Sequence, residues 1–567
     1  MKGYVMSSQQ RKSLWFVVVA IVVGSTGFVQ ANPLSNKDAW APTPPMGWNA
    51  WNCFGPNIDQ EKILSIADAM VASGMKDAGY QFVVIDDAWE QGRVKGFDFN
   101  KVDEIPGRDE NGVILVDTKK FPEGLKFVSD YMHAKGLRFG IYTGPGTATC
   151  QSCPASGGYE QSDIHSFVGW GVDYIKLDWC VCSKSAPEVL PLWRKLLDEC
   201  GRPIVLSVNA GGDHEYLKGV ANLWRTTSDI MPRWTWKKGE FRMMMSVLDV
   251  IDSQVGLEKF HGPGHWCDAD MLQVGNGDLT EEENRAHFSM WCLLGAPLMA
   301  GNDLRSMSES TRLILTNREA IAVDQDPAGR MGQRVRIIKP GVEIWAKRLQ
   351  PYAAQAVVLL NRSEQAEDMT VDLVDLGIKG EVFVRDLWQH KDRGLFSKSF
   401  SAKVAPHACV MIKMQAYEAL GEYLEPQDVT DVNEGICQAE TEEVVVEGGL
   451  LDDKNAGFTG TGYAVGQKHD WLPFHIKWVV YSRQDRPCKF ELRYANGGSK
   501  ELPCGVSVYN VGASQFVCPP TGSWDTWKTV TVEMSLKQGY NHIDFGATKP
   551  EFNDLAIDYL KITSVKP

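Results

Sequence analysis

The chain runs to 567 residues with 44% hydrophobic and 23% charged side chains, the composition of a soluble globular protein too long for one ordinary core. A formal net charge of -14 would repel a polyanion over most of the surface. Nucleic acid is therefore argued against as a partner, and neutral or cationic ligands stay open.

At the N-terminus, Arg11 and Lys12 precede an apolar run from Leu14 to Val23, and small residues follow, ending V-Q-A at Ala31. This pattern predicts a secretory signal peptide over residues 1–31, cleaved before Asn32, and a secreted or periplasmic protein with no membrane span in the mature chain. An uncleaved anchor is the alternative. Export turns the 13 cysteines into potential disulfides, and an odd count leaves at least one unpaired. Cys150, Cys153, Cys180 and Cys182 have C-x-x-C and C-x-C spacing, which also fits a zinc site. The oxidising compartment and the lack of a histidine in the cluster favour disulfides.

From Pro44 to about Ile321 short apolar runs alternate with helical patterns, the signature of βα units around a parallel sheet. The predicted strands are 46–51, 82–87, 137–142, 172–178, 203–208, 222–227, 266–272 and 297–300. Amphipathic stretches at Glu61–Ala78, Pro122–Lys135 and Thr280–Leu294 lie between them. Eight such strands in under three hundred residues predict an α/β fold, a (β/α)8 TIM barrel over 32–328. Beyond Gly329 short β-type segments predict an antiparallel β-sandwich over 329–414. The acidic stretch 415–436 reads as a linker, and 437–567 as a second β-sandwich of jelly-roll type. No G-x-G-x-x-G follows the first strand, which removes the usual dinucleotide fingerprint.

Polar and aromatic residues gather at the C-terminal ends of the predicted strands, the active-site face of a barrel. They include Trp51, Asp86, Asp87, Tyr142, Lys176, Asp178, Asn209, Arg225, Asp229 and Asp270. I-K-L-D-W-C and R-T-T-S-D each place a carboxylate near a basic residue at the end of an apolar run. Two such carboxylates suit acid/base or nucleophilic work on a polar substrate, and glycoside hydrolysis needs such a pair in unlike environments. Lys176 and Asp178 point to one side of an extended strand, so the ammonium is expected to keep the carboxylate ionised, as a nucleophile requires. Asp229 is the candidate acid, with Arg225 placing it or the substrate. Asp86 and Asp87 in tandem repel one another unless they bind hydroxyls or a metal. Trp51, Trp89 and Tyr142 could stack on sugar rings, although single aromatics are more often core. An isolated Lys-x-Asp is often a structural ion pair; the joint pattern makes that reading weak.

The strings T-P-P-M-G-W-N-A-W, V-I-D-D-A-W, K-F-P-E-G, K-G-L-R-F-G-I-Y, W-G-V-D-Y-I-K-L-D-W-C, L-W-R-T-T-S-D-I, G-P-G-H-W-C-D-A-D-M-L and V-D-Q-D-P-A-G resemble glycoside hydrolase family 27, in family order over roughly residues 43 to 414. This family contains α-galactosidases and α-N-acetylgalactosaminidases. The resemblance implies a retaining exo-glycosidase that needs no cofactor for catalysis, with Asp178 as nucleophile and Asp229 as general acid/base. It implies that Trp51, Asp86, Asp87, Tyr142, Lys176, Arg225 and Asp270 line the terminal sugar site, with Asp86 and Asp87 on the 4- and 6-hydroxyls. It also implies a Cys150–Cys180 disulfide beside the nucleophile, and a galactosylated oligo- or polysaccharide as substrate.

The departures bear on substrate choice. Relatives typically carry S-C-E-W after the fifth strand, the glutamate touching the 2-hydroxyl; this chain has S-V-N-A-G-G, so Asn209 replaces that acid and glycines follow. The pocket could accept a hydroxyl through the amide or admit a 2-substituent, which keeps α-N-acetylgalactosaminidase open beside α-galactosidase. β-L-arabinopyranosidase and isomalto-dextranase are further family activities, and a catalytically silent sugar-binding protein is the non-enzymatic alternative. Ala88 stands where many relatives have cysteine, which leaves Cys53 without that partner, and Cys267 replaces an asparagine. The C-terminal unit resembles, more loosely, carbohydrate-binding modules of families 6 and 35. That likeness implies a structural calcium on Gln438, Glu440 and Asp558 and sugar contacts at Tyr463, Trp524, Trp527 and Asn553. The oligomeric state is left open.

Overall fold

A computed structural model describes residues 37–94, 106–350, 353–416, 420–421, 434–441, 444–469 and 472–565. The expected signal peptide and most of the expected linker lie outside the described residues. Eight parallel strands form the first sheet: β1 Met46–Asn49, β2 Phe82–Val84, β3 Arg138–Thr143, β4 Tyr174–Asp178, β5 Val205–Asn209, β6 Leu223–Arg225, β7 Trp266–Asp268 and β8 Leu298–Ala300. From β1 to β7 each pairs with the next, β1 also pairs with β8, and the residues after β7 close the ring through a parallel bridge between Leu272 and Ala300. The result is a TIM-type barrel. Its strands read as unbroken apolar runs, such as F-V-V in β2, because helices cover the outer face while side chains fill the inside.

Several of the helices begin where the sequence supplies a cap. Asp59 accepts from the Lys62 amide at the start of Gln60–Ala72, and Thr280 with Glu283 forms a reciprocal box at Glu281–Leu294. The predicted helix 61–78 is broken at Gly74, whose φ of 83° starts a separate short turn of helix, Met75–Ala78.

The second region is a six-stranded antiparallel sheet, in spatial order 391–396, 382–386, 409–416, 354–361, 342–349, 333–339, faced by the ribbon of 367–372 and 399–404. The strand A-Q-A-V-V-L-L-N at 354–361 shows why it sits where it does. Ala356, Val358 and Leu360 join the barrel's core, while Val357 and Leu359 join Met369, Val371 and Phe400 inside the small sandwich. Period-two alternation thus buries both faces.

The third region is a sandwich of two antiparallel sheets. One contains 449–452, 463–466, 556–564, 486–495 and 528–536, with 434–438 added along 556–564; the other contains 445–447, 475–482, 539–547, 502–508 and 512–518. Alternate residues such as Ile476, Trp478 and Val480 turn inward to meet Phe490, Leu492 and Ile562. No helix among the described residues is long and apolar enough to cross a membrane.

A buried ion cluster bolts the second region to the barrel. Arg362 makes a two-pronged pair with Asp252, 2.8 Å on each arm, and reaches Glu343 at 3.1 Å, with all three side chains at most 6% exposed. Removing the guanidinium leaves the two buried carboxylates to the longer contacts of Arg334, 3.7 Å to Asp252 and 3.3 Å to Glu343. Arg362→Ala should therefore lower the urea midpoint of the barrel by the equivalent of about 3–5 kcal/mol, whereas a surface change such as Lys379→Ala should stay within about 0.5 kcal/mol.

Candidate active site

β1, β2, β6 and β7 stop short of the expected ends, while β4 and β8 end where expected and β3 and β5 run one residue further; the strand tips and the residues just beyond them form the site. β1 ends at Asn49, and Trp51 opens a short helix, Trp51–Phe54. Asn49 accepts from the Trp51 amide at 2.9 Å and donates to Asp86 at 2.8 Å, so it places both residues. It was absent from the expected set, although its signal was there: a lone polar residue at the tip of the first strand. β2 ends at Val84, and the turn after the tandem aspartates needs a φ of 74° at Ala88. That turn lets both carboxylates face inward. Asp86 takes the Lys176 ammonium at 2.8 Å, while Asp87 accepts from the amides of Ala88 and Gln151 at 2.7 and 2.9 Å.

Lys176 and Asp178 do share one side of β4, with a different pairing from the expected one. The ammonium bonds Asp86 and sits 5.2 Å from the centre of the Tyr142 ring. The direct partner of Asp178 is instead Asn209, whose side-chain amide donates at 3.0 Å from the neighbouring strand, where the two residues are in register. Cys150 and Cys180 are disulfide-bonded, and an oxygen of Asp178 lies within 4.8 Å of their sulfurs. Cys153 and Cys182 do not form a second bridge: Cys153 is buried beside Asp87 and Glu90, and Cys182 faces the Lys184 carbonyl. Cys53 and Cys267 are also free thiols.

Opposite this group, Arg225 bonds Asp229 and Asp270, both at 3.0 Å. Asp270, at a φ of 70°, also accepts from the Ile230 amide at 2.8 Å, and its own amide donates to Asp268. Asp268 was another residue outside the expected set; it is one of the acids of D-A-D, separated from its partner by a strand-to-loop turn. Trp89 leaves the expected set, because its ring is fully buried against Phe167 and Trp170 and its N–H is spent on the Tyr142 carbonyl.

The family profile described as "Alpha galactosidase A" matches residues 43–326, and the one described as "Alpha galactosidase C-terminal beta sandwich domain" matches 339–414. The chain belongs to glycoside hydrolase family 27, the alpha-galactosidase family. It is 41% identical to Alpha-galactosidase A of Cellvibrio japonicus over 392 residues, 66% of this chain and 92% of that protein. It is 34% identical over 368 residues to the Alpha-N-acetylgalactosaminidase of Gallus gallus, 60% of this chain and 84% of that one. The crystal structure of alpha-galactosidase I from Mortierella vinacea superposes with a TM-score of 0.61 at 32% identity, covering 67% of this chain and 99% of that one.

In the C-terminal sandwich of this family 27 enzyme, Gln438, Glu440 and Asp558 converge on the loop at Thr459–Thr461. The Thr459 hydroxyl lies within hydrogen-bond reach of Gln438 and Asp558, the Thr459 amide donates to Asp558, and the Thr461 amide donates to Glu440. Gly460 suits the turn there, since its φ of 72° is one that side-chain-bearing residues rarely adopt. Asp558 is also paired with Arg493, while Glu440 Oε2 is buried with no partner among the described residues. An oxygen-only set with one orphaned carboxylate oxygen fits a hard cation. Two expected sugar contacts are structural instead. Tyr463 is 1% exposed, and the buried Asn553 spends its amide on the Phe474 N–H and the carbonyls of Gln467 and Leu472. Trp524 and Trp527 are half-buried; Trp527 donates to the Ala456 carbonyl.

Burial sets the acidities at the barrel mouth. It pushes Asp178 up to about 6, against the Lys176 charge and with help from Asp229 and Asp86. Asp87 and Asp268 are raised to about 6 for the same first reason. Burial works against the Lys176 ammonium, but Asp86 and Asp178 outweigh it and hold the group charged. For Asp229 burial is outweighed by Arg225, then Lys176, and its carboxyl falls below the usual range. Raised in this way, Asp178 is protonated at low pH and has neither charge nor a free lone pair to offer an electrophile there. On a chromogenic glycoside, kcat/KM should rise with pH through about 6; an acid limb near pH 4 would show that Asp178 does not control it.

Proposed function

We propose that this enzyme is a retaining exo-α-galactosidase, exported from the cytoplasm, that removes terminal galactosyl groups from oligo- or polysaccharides. The observation that carries the reading is a pair of carboxylates in unlike surroundings at one end of the barrel: Asp178 on a strand against Asn209, and Asp229 on a loop against Arg225. Each is near enough for the Asp229 charge to raise Asp178. In the first step the Asp178 carboxylate attacks the anomeric carbon, and Asp229 gives its proton to the departing oxygen, leaving a galactosyl ester on Asp178. In the second, Asp229 takes a proton from water, which attacks the same carbon and frees Asp178. The order of acidities is the reverse of these roles until a sugar is seated. Asp229 is 56% exposed, so a ring placed over it strips water from that carboxyl and raises its affinity for a proton. Hydroxyls donated to Asp178 lower it in turn. Asp86, with Lys176 and Asn49 already on one oxygen, has lone pairs to spare for a sugar hydroxyl, as does Asp87. Export is supported by the leader-like composition of residues 1–31 and by the Cys150–Cys180 bond.

A second specificity is favoured by the 2-position. Asn209 turns its amide to Asp178 in place of an acid, and the exposed glycines that follow it, Gly211 and Gly212, carry no side chain that could crowd an N-acetyl group. Asp178→Asn should reduce turnover by roughly 10⁴-fold or more with the fold intact. Proton NMR of early product should show α-galactose before its anomer. The β-anomer first would refute the retaining mechanism, and equal turnover of the galactoside and its 2-acetamido analogue would move the assignment to α-N-acetylgalactosaminidase.

We also propose that a calcium ion sits on Gln438, Glu440 and Asp558 in a purely structural role, supported by the orphaned Glu440 oxygen. Chelation should lower the melting temperature of the wild type by several degrees and leave Glu440→Gln unmoved. No change in the wild type would remove the ion.

A further inference from the structure

The segment between β6 and the helix Val247–Ser253 carries Asp229 and contains no helix or strand. Its base is tied to the barrel. The Ile230 amide bonds Asp270, the Met231 amide bonds the Met245 carbonyl at 2.7 Å, and the Met245 amide bonds the Asp229 carbonyl at 3.0 Å. Whatever fixes Met245 therefore fixes the peptide of Asp229.

The tip of the segment leaves the barrel and joins the C-terminal sandwich. Arg242 and Gly449 form an antiparallel bridge, with the Arg242 amide on the Gly449 carbonyl at 2.8 Å and the Gly448 amide on the Arg242 carbonyl at 2.9 Å. The Gly239 amide reaches the Leu451 carbonyl at 3.1 Å. Gly449–Asp452 is the edge strand of its sheet, so the loop acts as an added strand on an open edge. Side chains reinforce it: Lys238 pairs with Asp453 at 2.6 Å, and the Phe241 ring stacks on His469 with centroids 5.5 Å apart. The other sheet seats itself just past the far end of the same helix. There His542 donates to the Val255 carbonyl at 2.7 Å, and Tyr540 packs where a Cβ on Gly256 would stand. The sandwich thus grips the chain on both sides of one short helix.

We propose that the C-terminal sandwich positions the general acid/base: by clamping residues 237–242 it holds the loop so that Asp229 meets the departing oxygen, and Lys238 and Phe241 are positioning residues. This rests on Asp229 being the acid/base. A carboxyl displaced by a fraction of an ångström still binds substrate but delivers its proton poorly. The deficit grows with the basicity of the leaving group, since a dinitrophenolate leaves without protonation and a methoxide does not.

The test uses the full-length enzyme with a loop-side variant, Lys238→Ala with Phe241→Ala, and a sandwich-side variant, Asp453→Ala with His469→Ala. Both should lower kcat/KM for methyl α-galactoside by about 10-fold and change it less than about 2-fold for the dinitrophenyl galactoside. Equal losses on both substrates, or none on either, would overturn the clamp, because loss of folded protein affects every substrate alike. Asp229→Ala is the control. If it shows the split and the clamp variants do not, the clamp alone is wrong; if it shows none, the acid/base assignment fails and the clamp with it.

Discussion

The site depends on a shortage of positive charge. Asp86, Asp87, Asp178, Asp229, Asp268 and Asp270 converge on the barrel mouth, and the cations paired among them are Lys176 and Arg225. Two cations cannot neutralise six carboxylates in a pocket sheltered from water. The protein answers in two ways: backbone amides are turned toward Asp87 and Asp270, and several carboxyls keep an affinity for protons near pH 6. A ligand rich in hydroxyl donors is what such a pocket lacks, and a sugar supplies it without adding charge.

The same shortage explains where the polypeptide is strained. Ala88 and Asp270 both take φ values near 70° without being glycine, each just past the end of a barrel strand and each beside a carboxylate of the site. Continuing β2 as extended chain would send Asp86 and Asp87 to opposite faces, so one of them would point into the helices. Asp268 and Asp270, two residues apart, would share a face of an extended β7; the left-handed turn at Asp270 instead brings its carboxylate to the Ile230 amide and Arg225. The cost is local, and the buried pairs with Lys176 and Arg225 offset it.

How much of this was readable follows from what leaves a side-chain signature. All eight barrel strands were visible, because burial on both faces produces apolar runs such as F-V-V and I-V-L, and the carboxylates stand out at their tips. The pairing of those charges was not visible. Alternation puts Lys176 and Asp178 on one side of β4, yet the choice of Asp86 over Asp178 as the ammonium's partner is made across strands, by the curl of the sheet. Cys150 and Cys180 were identified by family resemblance, whereas the C-x-x-C and C-x-C spacing of the four cysteines carried no information about which sulfurs meet, and Cys153 and Cys182 are free thiols. Least legible was the docking of the C-terminal sandwich. Its bonds run between the backbones of Gly239, Arg242, Gly449 and Leu451, and main-chain groups are the same in every sequence.

The two carboxylates are mounted differently, and the difference suits the nucleophile and acid/base roles proposed for them. Asp178 ends a strand in the middle of the sheet, flanked by the disulfide and held by Asn209, so its oxygen can be aimed at one carbon. Asp229 lies on a long irregular segment, half-exposed, beside an arginine shared with Asp270. A nucleophile gains from fixed aim. An acid that must later act as base gains from surroundings that change during the cycle, and a carboxyl open to water on one side is more responsive to a bound sugar than one sealed in a core. Exposure alone would also let the loop wander. Anchors on both sides of the helix Val247–Ser253 reconcile the two demands: the backbone of the loop is pinned from the barrel and from the sandwich, while the Asp229 carboxyl keeps its face to solvent.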